Sequence, residues 1–168
     1  MIVGITGHRP ERIRNREKEI EIWLNGQIKN LKGCYGDIIL LDGMAQGVDQ
    51  IAALVAIKNG VDVKCYFPYK HKLSETEKYI ADNAAEIRYE GEKYQKGCYF
   101  KRDRRIVDDC DLLIVVWDGI ENGGAYYTWK YAVEKKKNIL MFPWEDTGVK
   151  ENWDAIDEGY NELPHDDD

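Results

Sequence analysis

Short apolar clusters bounded by glycine or aspartate alternate along this chain with stretches in which apolar residues recur at helical spacing. Parallel strands need a crossover of a dozen or more residues between them, usually a helix, so this alternation is the mark of repeated β-α units. The apolar clusters predict strands over Ile2 to Thr6, Ile38 to Leu41, Val61 to Phe67, Ile87 to Tyr89, Leu112 to Trp117 and Ile139 to Phe142. The second and fifth are almost wholly Ile, Leu and Val, as strands covered by helices on both faces should be. Ile20, Leu24, Ile28 and Leu31 share one helical face, which predicts a helix over Asn15 to Leu31, weakened by about 1 kcal/mol at Gly26. Val48, Ile51, Ala52, Val55 and Ala56 mark a second helix that Gly60 ends by taking a left-handed conformation. Ser74 with Glu77 forms a capping box for a third, running toward Ala85, and two more cover Phe100 to Asp109 and Ala125 to Lys136. The expected architecture is a three-layer α/β domain with a mostly parallel sheet of about six strands flanked by helices.

At 168 residues the chain matches a single core, expected over residues 1–146, with an acidic, turn-rich tail over 147–168. A disordered or loosely docked tail is the expectation there, because one histidine, His165, in an acidic run supplies no preformed metal geometry. No apolar run approaches the roughly 20 residues that cross a bilayer, so no membrane partner is expected. The opening Met1 to Ile5 lacks the basic and apolar regions of a signal peptide, which leads to the expectation of a cytoplasmic protein. Cys34, Cys65, Cys98 and Cys110 are far apart, without a C-x-x-C pair or matching histidines, and read as reduced thiols rather than zinc ligands. A net charge of −7 opposes an extended nucleic-acid surface while leaving room for a local basic pocket.

Three strand ends on one edge of the expected sheet lead into glycine-containing loops. After the first strand, Gly7, His8 and Arg9 follow Thr6, where glycine permits close backbone approach and the side chains can donate to anionic oxygens. After the second, Gly43-Met44-Ala45-Gln46-Gly47 runs into a helix whose free N–H groups and positive dipole end favour phosphate. After the fifth come Trp117, Asp118 and then Gly123-Gly124, with Thr128 one turn into the next helix. In open parallel sheets ligands bind beyond the carboxyl ends of the strands where strand order reverses, and these loops converge there. The dinucleotide fingerprint G-x-G-x-x-G is absent, which disfavours a conventional nicotinamide dehydrogenase.

These segments carry a family likeness. GITGHRP at the start, GMAQGVDQIAA, and RDRRIVDDCDLLIVVWDG followed by GG-x-x-x-T resemble the SLOG superfamily, above all its YpsA-like and DNA-processing protein A-like members. The resemblance covers about Met1 to Phe142 and implies a Rossmann-like fold and a phosphorylated, nucleotide-derived ligand. Arg102 stands nine residues before Asp111, as the superfamily's arginine does, which implies phosphate or ribose-phosphate recognition. The Lonely Guy enzymes of the superfamily carry P-G-G-x-G-T-x-x-E, and here the glutamate position holds Tyr131. Tyrosine cannot act as the carboxylate of N-glycosidic cleavage, so phosphoribohydrolase activity is not expected.

The expected ligand contacts are Thr6, Gly7, His8, Arg9, Gly43, Met44, Gly47, Asp49, Arg102, Trp117, Asp118, Gly123, Gly124 and Thr128. His8 suits either a ligand or a structural loop hydrogen bond, and Asp49 either ribose hydroxyls or the helix dipole. Trp117 and Tyr69 are expected to stack on a base from opposite loops, and Gly47 and Gly124 to leave space for a phosphate. No residue is assigned a catalytic role, no metal ligands are assigned and no cofactor is implied. The leading function is binding of an ADP-ribose-like or cyclic nucleotide-like molecule, in a homodimer paired through outer helices. The alternatives are a nucleotide or N-glycosidic hydrolase using Asp49, Asp118 or Glu121, and a single-stranded DNA binder.

Overall fold

The structure, a computed structural model, describes residues 1–144. The tail expected over residues 147–168, and the domain boundary at 146, lie outside the described residues. The elements follow in the order β1 (Ile2–Gly7), α1 (Glu17–Tyr35), β2 (Ile39–Asp42), α2 (Val48–Lys58), β3 (Asp62–Phe67), α3 (Glu75–Asp82), β4 (Glu86–Tyr89), α4 (Cys98–Asp109), β5 (Leu112–Val116), α5 (Gly123–Glu134) and β6 (Asn138–Met141). The six strands form one sheet in the order β4-β3-β2-β1-β5-β6, and every adjacent pair is parallel.

Alternating side chains of the central strands feed two separate cores. Val3, Ile5, Leu40, Val63, Cys65, Phe67, Ile114 and Val116 pack with Ile20, Leu24 and Ile28 of α1, with α2, and with Ile80 of α3. Leu41, Tyr66, Leu113 and Val115 pack on the other face with Ile106 and Val107 of α4 and Ala132 of α5. This is why the apolar runs of β2 and β5 are continuous: neighbouring residues face different cores, and neither face meets water.

The two-sided arrangement follows from the right-handedness of β-α-β crossovers. From β1 through β4 the strands are added in one direction, so α1, α2 and α3 lie on one face. The chain then returns through α4 to place β5 beside β1, and α5 covers the same second face as it leads to β6. The direction reverses between β1 and β5, so their carboxyl ends open a crevice.

Helix ends depart from the sequence pattern for local reasons. α1 begins after a 3-10 turn at Pro10–Arg12 and a positive φ at Asn15, and continues to Tyr35 as a solvated turn beyond its apolar stripe. α5 starts at Gly123, where glycine gives no helical signal. The Ser74–Glu77 capping box is formed in both directions, and Gly60 takes the expected positive φ of 69° after α2. All four cysteines are free, and burial pushes the Cys65 thiol up to about 12 and Cys110 up to about 11. Among the described residues no helix is long and apolar enough to cross a membrane.

Candidate ligand-binding crevice

The loop after β1 is pressed against the start of α2. A Cβ on Gly7 would lie 2.4 Å from the Val48 side chain. One on Gly47 would lie 2.5 Å from the His8 carbonyl oxygen, and Gly47 also has a φ of 94°. The Val48 N–H donates to the same carbonyl at 3.1 Å. Gly47 was expected to open the helix start to a phosphate. Instead, backbone from His8 and Arg9 fills that space, and the glycine is required by packing.

A buried ion pair joins the β1 and β5 loops. Arg12, 1% exposed, donates from Nε and Nη2 to the Asp118 carboxylate at 3.0 and 2.6 Å, and from Nη1 to the Asn122 carbonyl and side-chain oxygens, both at 3.1 Å. Burial alone would raise the Asp118 carboxyl, but the Arg12 guanidinium bonded to it holds it well below the usual carboxylate range. His8 is itself buried, which lowers its pKa, and its Nε2 accepts the Asp118 backbone N–H at 3.0 Å. That bond fixes a neutral ring with the proton on Nδ1.

Sequence reasoning missed Arg12, because a charged residue in a polar turn carries no local sign that it will be buried. His8 and Asp118 are committed to this clamp and do not line the crevice. Trp117, expected to stack on a base, is engaged within the protein. Its ring stacks on Trp129 at 4.8 Å, and its Nε1–H donates to the Ile120 carbonyl at 2.7 Å.

Other predicted residues do converge. A small inner lobe of about 20 Å³ is bordered by Thr6, Gly7, Arg9, Asp49, Arg102 and Gly124, together with Ala45, Tyr99, Asp103 and Ala125. It adjoins an outer lobe of about 220 Å³, bordered by Gly43, Met44, Phe67, Tyr69, His71 and Glu77 among others; Arg9, Ala45, Tyr99 and Arg102 belong to both. Gly47, Gly123 and Thr128 border neither lobe. Thr128 Oγ1 lies 2.8 Å from the Gly124 carbonyl and 3.2 Å from Asp103, bracing α5 against α4. Tyr69 sits in the outer lobe as expected, but the ring facing it there is Tyr99, edge-on at 6.2 Å.

Charge in the crevice is organised around Arg102. Its guanidinium donates to the Gly43 carbonyl and, at 2.6 Å, to Asp103, and it lies 5.5 Å from the Tyr99 ring centre. Burial opposes its charge, but Asp103 and Asp49 more than offset that and raise its pKa. Asp49 is pushed up to about 7, chiefly by burial and against the pull of Arg102. Its Oδ2 accepts the Ala45 N–H at 3.3 Å, while Oδ1 is buried without a hydrogen-bond partner. Asp42, at the end of β2, is raised well above the usual carboxylate range by burial and by Asp49; its Oδ1 accepts the Met44 N–H at 2.8 Å, holding Met44 at a φ of 65°.

Tyr131 lies away from the crevice, in a hollow of about 300 Å³ between α4 and α5, where its hydroxyl donates to Asp108 at 2.8 Å.

The parallel strand order, its reversal between β1 and β5 and the crevice at that point define a three-layer Rossmann-like α/β protein, the fold that the sequence resemblance implied. Solved structures bear this out. DNA processing protein A from Streptococcus pneumoniae superposes with a TM-score of 0.69 at 19% identity, over 94% of this chain and 56% of that one. The Helicobacter pylori protein of the same name, studied for its single-stranded DNA binding mode, gives 0.66 at 18%, over 98% of this chain and 82% of that one. The molybdenum cofactor carrier protein from Chlamydomonas reinhardtii gives 0.60 at 17%, over 94% and 86%. This chain thus spans little more than half of the pneumococcal protein. At these identities the likeness is one of fold. No family model and no curated protein matches the sequence.

Proposed function

We propose that the crevice binds a small phosphorylated, nucleotide-derived ligand, of the ADP-ribose-like or cyclic nucleotide-like class, and that the protein senses, carries or sequesters it. The observation that carries this reading is the place of Arg9 and Arg102, which border both a narrow polar lobe and an aromatic one. In this reading the phosphate meets the two guanidinium groups and the first turn of α5 at Gly124 and Ala125, where helix N–H groups and dipole favour an anion. The start of α2 suits this less, since the Val48 N–H is already taken by His8. The base lies in the outer lobe against Tyr69 and Tyr99.

Charge supports the same assignment. Arg102 is offset by Asp103, Arg9 adds a second cation, and Asp49 holds its proton up to a pH of about 7. The inner lobe therefore favours an anion more strongly at or below neutral pH. The Chlamydomonas neighbour is a carrier by name, in keeping with a binding role for this fold. Hydrolysis of the Lonely Guy type has less support, because Tyr131 stands at the glutamate position and borders a different hollow.

Calorimetric titration with AMP and ADP-ribose tests the reading. Micromolar binding of at least one is expected, weakened at least about tenfold in Arg9→Ala by loss of a charge-assisted contact. No binding of either at millimolar concentration contradicts it. The same titration with a single-stranded oligonucleotide separates the DNA-binding alternative, for which a chain of net charge −7 has few cations to spare.

A further inference from the structure

Bordering the outer lobe, and absent from the lining of the inner one, stands an acid–base pair, His71 and Glu77. Glu77 borders the lobe with its side chain only 13% exposed, and its Oε2 lies 2.9 Å from His71 Nε2. The other ring nitrogen of His71, Nδ1, lies 3.2 Å from the Tyr69 carbonyl oxygen. Glu77 Oε1 accepts the Ser74 N–H at 3.0 Å, which completes the capping box of α3. Each carboxylate oxygen offers two acceptor positions, so each retains one after these bonds.

Resting on the reading of the crevice above, we infer that Glu77 reads the edge of the bound base and selects one that carries an exocyclic amino group. The lobe is bipolar: Arg9 and Arg102 line it toward the inner lobe, and a carboxylate held by His71 and the Ser74 amide lines it as well. The Tyr99 ring centre lies 5.5 Å from the Arg102 guanidinium, and the Tyr69 ring lies 6.2 Å from Tyr99 and 5.4 Å from His71. A nucleotide whose phosphate meets the arginines and whose base lies along the tyrosines presents its edge to Glu77. An amino group there donates to the carboxylate. A base with hydrogen in its place offers no donor there, leaving a partly buried carboxylate oxygen without that bond. The size of the lobe, about 220 Å³, is below the usual 300–1,000 Å³ of drug-sized pockets and suits one base with its sugar rather than a whole dinucleotide.

The test compares AMP with purine riboside 5′-monophosphate, which keeps the ring nitrogens of adenine and lacks only the amino group, in the wild-type protein and in Glu77→Gln. The glutamine side-chain oxygen keeps the capping box, so the variant is expected to melt close to the wild-type temperature. AMP is expected to bind about tenfold to a hundredfold more tightly than the analogue, the range set by one hydrogen bond to a charged group. Glu77→Gln, whose amide donates as well as accepts, should bring the two affinities within about threefold of each other. Equal affinities in the wild type, or an unchanged ratio in Glu77→Gln, overturn the assignment of Glu77 while leaving the crevice reading standing. Failure of both nucleotides to bind overturns the assignment of Glu77, and the crevice reading falls with it when ADP-ribose also fails to bind.

Discussion

Asp49 is the residue at which folding and ligand binding favour the same protonation state, the neutral carboxyl. A carboxyl with one buried, unpartnered oxygen costs stability whenever it is ionised, and burial is the main reason its pKa rises to about 7. In the unfolded chain the same group titrates near 3.9. The folded protein therefore holds a proton that the unfolded chain has given up. The contribution is fully present below a pH of about 4 and is lost as the pH rises toward 7. Asp49→Asn keeps an oxygen for the Ala45 N–H and removes the titration. It is expected to melt higher than the wild type at pH 8 and to lose that advantage by pH 4, as followed by thermal unfolding across the range; parallel pH curves would show that Asp49 does not titrate there. Asp49 stands out from its letters alone, since its helix-start position is legible. The letters hold no sign of Arg12 or of the His8–Asp118 contact, because a buried clamp between loops more than 100 residues apart depends on the topology and not on local pattern.

At the scale of elements, the decisive contact is between the β1 loop and the N-terminus of α2. Gly7 and Gly47 let the two backbones meet, and the Val48–His8 hydrogen bond joins them. Gly47→Ala would place a methyl group 2.5 Å from the His8 carbonyl at a φ of 94°. Both effects act on the folded state, so a loss of about 2–4 kcal/mol is expected in denaturant unfolding. A change below about 0.5 kcal/mol would show that the loops part easily and that the space belongs to a ligand after all. The strands and helix cores were legible because β2 and β5 bury both faces and α1 carries a regular stripe. The capping box was legible because its two residues are three apart. That packing requires Gly47 was not, since its φ and the backbone of His8 and Arg9 around it belong to the assembled loops and not to the letters.

For the whole molecule, the reversal of strand order between β1 and β5 determines where the loops converge, and the crevice bordered by Arg9 and Arg102 lies there. Sequence placed three loops at one sheet edge, and six of the expected contacts meet in the inner lobe. Two more, Gly43 and Met44, border the outer lobe, whereas Trp117 is drawn off by packing on Trp129 that only the assembled layers define. The central claim is that a nucleotide occupies this crevice and not the hollow between α4 and α5. Hydrogen exchange with and without saturating AMP tests it most directly. The account predicts added protection in the amides of Gly7 to Arg9, Met44 to Gln46 and Gly124 to Tyr126, with Lys130 to Glu134 unchanged. Protection confined to Lys130 to Glu134, or absent from all four segments, would contradict it.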